Sequence, residues 1–136
     1  MPVRIAVFLA GLYFAGACTL TSDEDLLGVF DDVPPRVLEV FPPDGWEEVP
    51  TGVEIRIQFS EPVEPTSVNR GSVSLISGND MAEGRFEVSA DGLVVFTPLQ
   101  PLISGVTYRL VITVWVTDLY GNPLESWVET TFKTLH

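Results

Sequence analysis

One cysteine, one histidine and two methionines are all that the 136 residues offer of the side chains most used as nucleophiles, bases and soft metal ligands. A lone cysteine cannot close a disulfide within the chain, so whatever folds here must be held by packing. With the single histidine at the last position, His136, no histidine-based catalytic triad can be assembled. Basic side chains are scarce as well, 7 against 19 acidic ones, for a net charge of −12. Such a surface repels phosphate backbones and anionic lipid headgroups, which excludes nucleic acid as an expected partner. Long apolar runs are also missing. The uncharged stretch from Ile5 to Ala17 is about 13 residues, too short to cross a bilayer as a helix and the right length for a signal-peptide core. Beyond Val33 there is no amphipathic helical stripe of ten or more residues, only a single helical turn expected from Thr66 to Gly71, started by Pro65.

What is present begins with Cys18, which follows the small residues Ala15, Gly16 and Ala17. The segment FAGAC, Phe14 to Cys18, with Arg4 in front of the apolar run, resembles a bacterial lipoprotein signal. That resemblance implies cleavage before Cys18, diacylation of its sulfur and attachment to a membrane surface by the acyl chains. It further implies outer-membrane sorting, since Thr19 stands where an aspartate would retain the protein at the inner membrane. Ala15, Gly16 and Ala17 also make a small-x-small site for ordinary signal cleavage, which would leave Cys18 as a free thiol. The expected organisation is a signal peptide over 1–17, a lipidated cysteine with an acidic tether over 18–33, and one folded domain over 34–136. The roughly 119 residues left after signal removal fit a single domain with one core.

The tether carries Asp23, Glu24, Asp25, Asp31 and Asp32 around Leu26, Leu27, Val29 and Phe30. Like-charge repulsion favours its extension, and the apolar group is an alternative extra strand or short helix on the domain. Pro34 and Pro35 mark the boundary.

Past Pro35 the dominant period is two. Val53, Ile55, Ile57 and Phe59 alternate with Glu54, Arg56 and Gln58, the signature of a half-buried strand. The same reading predicts strands over 37–41, 53–59, 72–76, 85–88, 93–97, 106–116 and 127–134. Turn residues separate them, with Asp91-Gly92 reading as a two-residue hairpin turn. Seven short strands in about 100 residues predict an all-β, immunoglobulin-like β-sandwich of Greek-key type, closed without a disulfide. Tyr108, near the start of a late strand, is positioned to hydrogen-bond back across a corner, as such sandwiches often require. The predicted core is Val40, Val53, Ile55, Ile57, Phe59, Val73, Leu75, Phe86, Val88, Val94, Phe96, Leu102, Leu110, Ile112, Val128 and Phe132.

Five stretches in order carry a resemblance to the bacterial Ig-like domains of S-layer and other surface proteins: VFPPDGWEEVP (40–50), VEIRIQFSEPVEPTSV (53–68), LVVFTPLQPLISGVTYRLVI (93–112), VTDLYGNPL (116–124) and TTFKT (130–134). The resemblance implies the sandwich fold and a role as spacer, stalk or adhesion module in the cell envelope, with an envelope protein or polysaccharide as partner. Its motif residues have local explanations: Pro62 stops a strand, Ser60 satisfies a freed amide, Asp118 caps main-chain amides, and Gly121 or Asn122 supplies a positive φ.

Candidate sites are few. Asp118, Asn122 and Glu125 could contribute to a calcium site, but three side chains without an EF-hand pattern fall short of the six to eight oxygens required. The periplasmic copper carriers share a similar proline-aspartate-glycine and phenylalanine-serine-glutamate-proline pattern. Copper needs soft or imidazole ligands, and His136, Met81 and Met1 do not make a set. The carboxylate pairs Glu47 with Glu48 and Glu61 with Glu64 are uninformative in so acidic a chain. No metal, cofactor or catalytic residue is expected. The remaining signal is aromatic: Trp115, Tyr120 and Trp127 border one connection, read either as a cross-strand pair stabilising the sheet or as a platform for a sugar or a protein partner.

Overall fold

The computed structural model describes residues 32–136, so the signal segment, Cys18 and nearly all of the tether lie outside the described residues. From Pro34 onward the chain forms nine strands: β1 Val37–Phe41, β2 Trp46–Val49, β3 Ile55–Phe59, β4 Val73–Ser77, β5 Asp80–Met81, β6 Gly84–Val88, β7 Leu93–Pro98, β8 Thr107–Ile112 and β9 Val128–Thr134. One sheet has the order β1-β3-β7-β6 and the other β2-β9-β8-β4-β5. In immunoglobulin terms the first is the ABED sheet, and the second is the CFG sheet widened at both edges by the short strands β2 and β5. The expected sandwich is present, with two more strands than its periodicity announced.

Both extra strands lie at edges. Alternation is legible only where one face is buried. β2 (WEEV) exposes three of its four residues and pairs in parallel with β9, through Trp46 with Phe132 and Val49 with Thr134. Glu47 and Glu48 are therefore solvent-facing strand residues, and Glu48 takes a positive φ of 62° at the irregularity in that pairing. The chain passes from β1 in one sheet to β2 in the other through Pro42 to Gly45, where the Phe41–Pro42 peptide is cis and Gly45 has a φ of 84°. Asp44 fixes this crossing by accepting the Thr131 amide at 2.8 Å. Met81, outside every strand predicted from the alternation, belongs to β5.

In β3, Ile55, Ile57 and Phe59 are buried while Arg56 is exposed, and in β8, Tyr108, Leu110 and Ile112 are buried. Twelve of the sixteen predicted core residues are buried; Val40, Phe86, Val88 and Val128 are only partly so. For Val40, Phe86 and Val88 the reason is position, because β1 and β6 are edge strands covered from one side. The core also contains Val49, Val63, Val68, Tyr108, Val116 and Leu124, which were not expected there. Four of these, Val63, Val68, Val116 and Leu124, sit in connections and plug the end of the sandwich at which β3 and β8 finish. Each fully buried side chain of this size stabilises the fold by about 1.5–3 kcal/mol, so the plugs matter as much as strand residues do.

The turn chemistry is largely as expected. Ser60 Oγ accepts the Arg36 amide at 2.9 Å, and the strand stops before Pro62. A 3-10 turn occupies Pro65–Ser67. At Asp91-Gly92 the connection is one residue longer than a two-residue hairpin: the Gly92 amide donates to the Ser89 carbonyl at 3.2 Å, and Gly92 follows with a φ of 90°. Only glycine fits there, since a Cβ on Gly92 would lie 2.8 Å from the Glu61 carbonyl oxygen. Tyr108 makes the corner bond, its hydroxyl accepting the Ile103 amide at 3.0 Å.

Candidate functional site

The connection from β8 to β9, residues 113–127, contains every site residue singled out by the aromatic and calcium readings. Its first departure from the sheet is at Thr113, whose amide still donates to the Ser72 carbonyl at 2.8 Å. Thr113 Oγ1 then accepts the Trp115 amide at 3.2 Å, replacing a ladder partner with a side chain. The strand expected to run to Val116 therefore ends at Ile112, and Trp115 stands in the turn beyond it.

Residues 116–124 fold back on themselves. Thr117 and Pro123 face each other in an isolated bridge, the Asp118 amide donates to the Asn122 carbonyl at 3.0 Å, and the Leu124 amide donates to the Val116 carbonyl at 2.8 Å. Val116 and Leu124 point into the core from the base of this narrow loop. Its tip is closed by Asp118, which is buried. One carboxylate oxygen accepts the amides of Tyr120 at 2.8 Å and Asn122 at 2.9 Å, while the other accepts Asn122 Nδ2 at 2.9 Å. Gly121 turns the chain with a φ of 86°. Burial pushes the Asp118 carboxyl up, but the side chain and amide of Asn122, the amide of Tyr120 and a side-chain hydrogen bond with Glu61 outweigh it, and the group sits below its ordinary value. The loop is also tied sideways: Glu64 donates its amide to the Thr117 carbonyl at 2.8 Å, and the Thr117 amide donates to Ser67 Oγ at 3.0 Å.

With Val116, Asp118 and Leu124 facing inward, the residues between and beside them face out. Trp115 is 72% exposed, Leu119 56%, Tyr120 61% and Trp127 64%. Leu119 joins the three aromatics that the sequence reading named; its place between a capping aspartate and the tip tyrosine was the available clue. The cross-strand pair is not formed. The ring contacts among the described residues are Phe41 with Trp46, Phe86 with Phe96, and Tyr108 with Phe132, and none joins Trp115 to Trp127. Trp127 precedes β9, whose first residue Val128 pairs with Ile112, whereas Trp115 has already left the sheet.

The other candidates are dispersed. Asp118 spends three of its hydrogen bonds on N–H donors of its own loop and a further one on Glu61, Glu125 is exposed, and among the described residues no group of three His, Cys, Asp or Glu is placed to hold a metal ion. Met81 and His136 line different depressions, each of about 520 Å³, the first with Leu99 and Ile103 and the second with Glu47 and Lys133. Cys18 lies outside the described residues.

The bacterial Ig-like domain family matches residues 31–134. Among solved structures, the N-terminal part of the bacterial S-layer protein SbsC shares 20% identity over 76% of this chain and 24% of that one, with a TM-score of 0.55. PcoC, a methionine-rich copper resistance protein from Escherichia coli, shares 17% identity over 74% of this chain and 97% of that one, with a TM-score of 0.60. An L,D-transpeptidase from Mycobacterium smegmatis shares 22% identity over 76% and 41% of the two chains, with a TM-score of 0.53. At these identities the likeness is one of fold. This chain spans about a quarter of the S-layer structure it matches. None of the curated proteins matches the chain by sequence.

Proposed function

The chain belongs to the bacterial Ig-like domain family, and from that membership we propose that it is a non-catalytic structural and binding module of the bacterial cell envelope, held on a membrane by acylated Cys18. The observation that carries the non-catalytic half concerns the buried polar side chains, Ser72, Thr113, Asp118 and Thr134. Each of these four is engaged by its own fold, and Thr130 Oγ1 is the one buried side-chain oxygen among the described residues without a partner. Ser72 Oγ donates to the Ser67 carbonyl at 2.6 Å, Thr113 Oγ1 to the Ser72 carbonyl at 3.2 Å and Thr134 Oγ1 to the Ile103 carbonyl at 2.6 Å, while Asp118 accepts from its loop. A catalytic carboxylate needs a raised pKa to act as an acid or a free face to act as a base; Asp118 has been moved the other way and is saturated by donors. Placement at the cell surface accords with the S-layer protein whose domain has the same fold.

Two exported-protein features support the anchor, the FAGAC segment and the single cysteine at its end. Metabolic labelling with an alkyne fatty acid, followed by fractionation, tests it. The full chain is expected to take up label and sediment with membranes, whereas Cys18→Ala takes up none and is recovered in the soluble fraction. An unlabelled parent, or a variant that still sediments, would overturn the anchor. A turnover measured with purified protein and abolished by Asp118→Asn at unchanged fold would overturn the non-catalytic assignment.

A further inference from the structure

We infer that the end of the sandwich bearing Trp115, Leu119, Tyr120 and Trp127 is a membrane-facing surface that rests in the headgroup region of the same bilayer to which Cys18 is attached. The inference rests on the anchor proposed above and adds to it the orientation of the domain and the residues that set it.

The first support is where the chain enters the fold. Pro34 opens the described domain, and the Pro35 carbonyl accepts the Glu125 amide at 3.1 Å. The entry strand and the aromatic connection are thus joined by a direct main-chain bond two residues before Trp127. Arg36 and Ser60, at the start of β1 and the end of β3, exchange further bonds beside it. Cys18 precedes Pro34 by sixteen residues, a segment that reaches at most about 55 Å when fully stretched, so the tether joins the domain at this end. A surface held at such a distance meets the bilayer at a high local concentration, so a weak contact is enough.

The second support is chemical. Two of the three tryptophans, a tyrosine and a leucine project from one connection, each more than half exposed and none of the rings packed on another. Tryptophan and tyrosine favour the boundary between hydrocarbon and water, where the ring is sheltered and its N–H or O–H stays hydrated. The loop that carries them is stiff, pinned by Asp118, Val116 and Leu124, so the side chains are presented without an ordering cost to the backbone. Charge sets the lipid class. Arg36 and Glu125 line one shallow depression beside the connection, so charge of both signs is present there, while the chain as a whole is acidic, so zwitterionic headgroups are accepted and anionic ones repelled.

The test uses the acylated full chain in phosphatidylcholine vesicles carrying a headgroup-proximal spin-labelled lipid, with flotation as a control. Trp46 supplies the internal reference, because it pairs with Phe132, four residues along β9 from Val128 and hence about 13 Å from the aromatic connection. The Trp46→Phe variant, which keeps both loop tryptophans, is expected to show a blue-shifted emission that the spin label quenches. The Trp115→Phe/Trp127→Phe variant, which keeps Trp46, is expected to show neither, and added anionic lipid is expected to weaken the effect in the first variant. A chain that floats while the two variants are quenched alike, or not at all, overturns the orientation and leaves the anchor standing. Failure to float overturns the anchor and the orientation with it. Shielding of the loop tryptophans from aqueous iodide by a soluble glycan, with no quenching by lipid, assigns the surface to a sugar and overturns the inference.

Discussion

Replacing Asp118 with alanine removes the acceptor of three donors at once: the amides of Tyr120 and Asn122 and Asn122 Nδ2, all at 2.8–2.9 Å. A hydrogen bond to a charged group contributes about 1.5–3 kcal/mol, but three that share one carboxylate are not additive, and water can reach the amides at the loop tip. The expected loss is therefore about 2–4 kcal/mol, or about 10–20 °C in melting temperature for a domain of this size. Asp118→Asn keeps a carbonyl oxygen for the two amides and sets an NH2 group against Asn122 Nδ2, so it should cost about half as much. The pH dependence follows from the direction of the pKa shift. Because the folded carboxyl titrates below its unfolded value of 3.8, its contribution is fully present above that value and is lost as pH falls through the lower, folded pKa. Stability measured by urea unfolding should consequently fall for the parent on acidification, and the gap between parent and Asp118→Asn should narrow over the same interval. Hydrogen exchange at the Tyr120 and Asn122 amides should accelerate in the alanine variant. An Asp118→Ala loss below about 0.5 kcal/mol, the range of an inert surface change, would refute the claim that this carboxylate holds the loop.

Tyr108→Phe keeps the ring stacked on Phe132 at 5.8 Å and deletes only the hydroxyl that accepts the Ile103 amide, so a thermal melt should show a loss of about 1 kcal/mol. A neutral result would mean that the corner bond is replaced by water. Gly84→Ala in edge strand β6 should destabilise by about 1–3 kcal/mol in urea titration, since the new Cβ collides with the Thr97 carbonyl oxygen and lies 2.7 Å from the Phe96 ring. Retention of the parent midpoint would show that β6 shifts outward freely.

The site was only half legible in the residues. Asp118, Gly121 and Asn122 announced a capped turn, because a short side-chain acceptor followed by a residue tolerant of positive φ has few other uses. Of the two readings of Trp115 and Trp127, the cross-strand pair continues the alternation of β8 past Ile112, and it fails because Thr113 Oγ1 intercepts the next amide. Nothing in the local pattern distinguishes a strand that continues from one diverted by its own hydroxyl. Val63, Val68, Val116 and Leu124 were missed for a related reason: a plug that closes the end of a sandwich has no period.

By itself the sequence determined that the domain is all-β, which faces of β3 and β8 look inward, where the tight turns fall and that no disulfide closes the fold, since alternation, turn chemistry and cysteine count are properties of neighbours along the chain. The tertiary structure alone decided the edge strands β2 and β5, the burial of connecting residues, the glycine required beneath Phe96, and the presentation of Trp115, Leu119, Tyr120 and Trp127 at the end where the chain enters. Those depend on which segments meet across the two sheets, and contacts between residues distant in the chain leave no periodic mark on either partner.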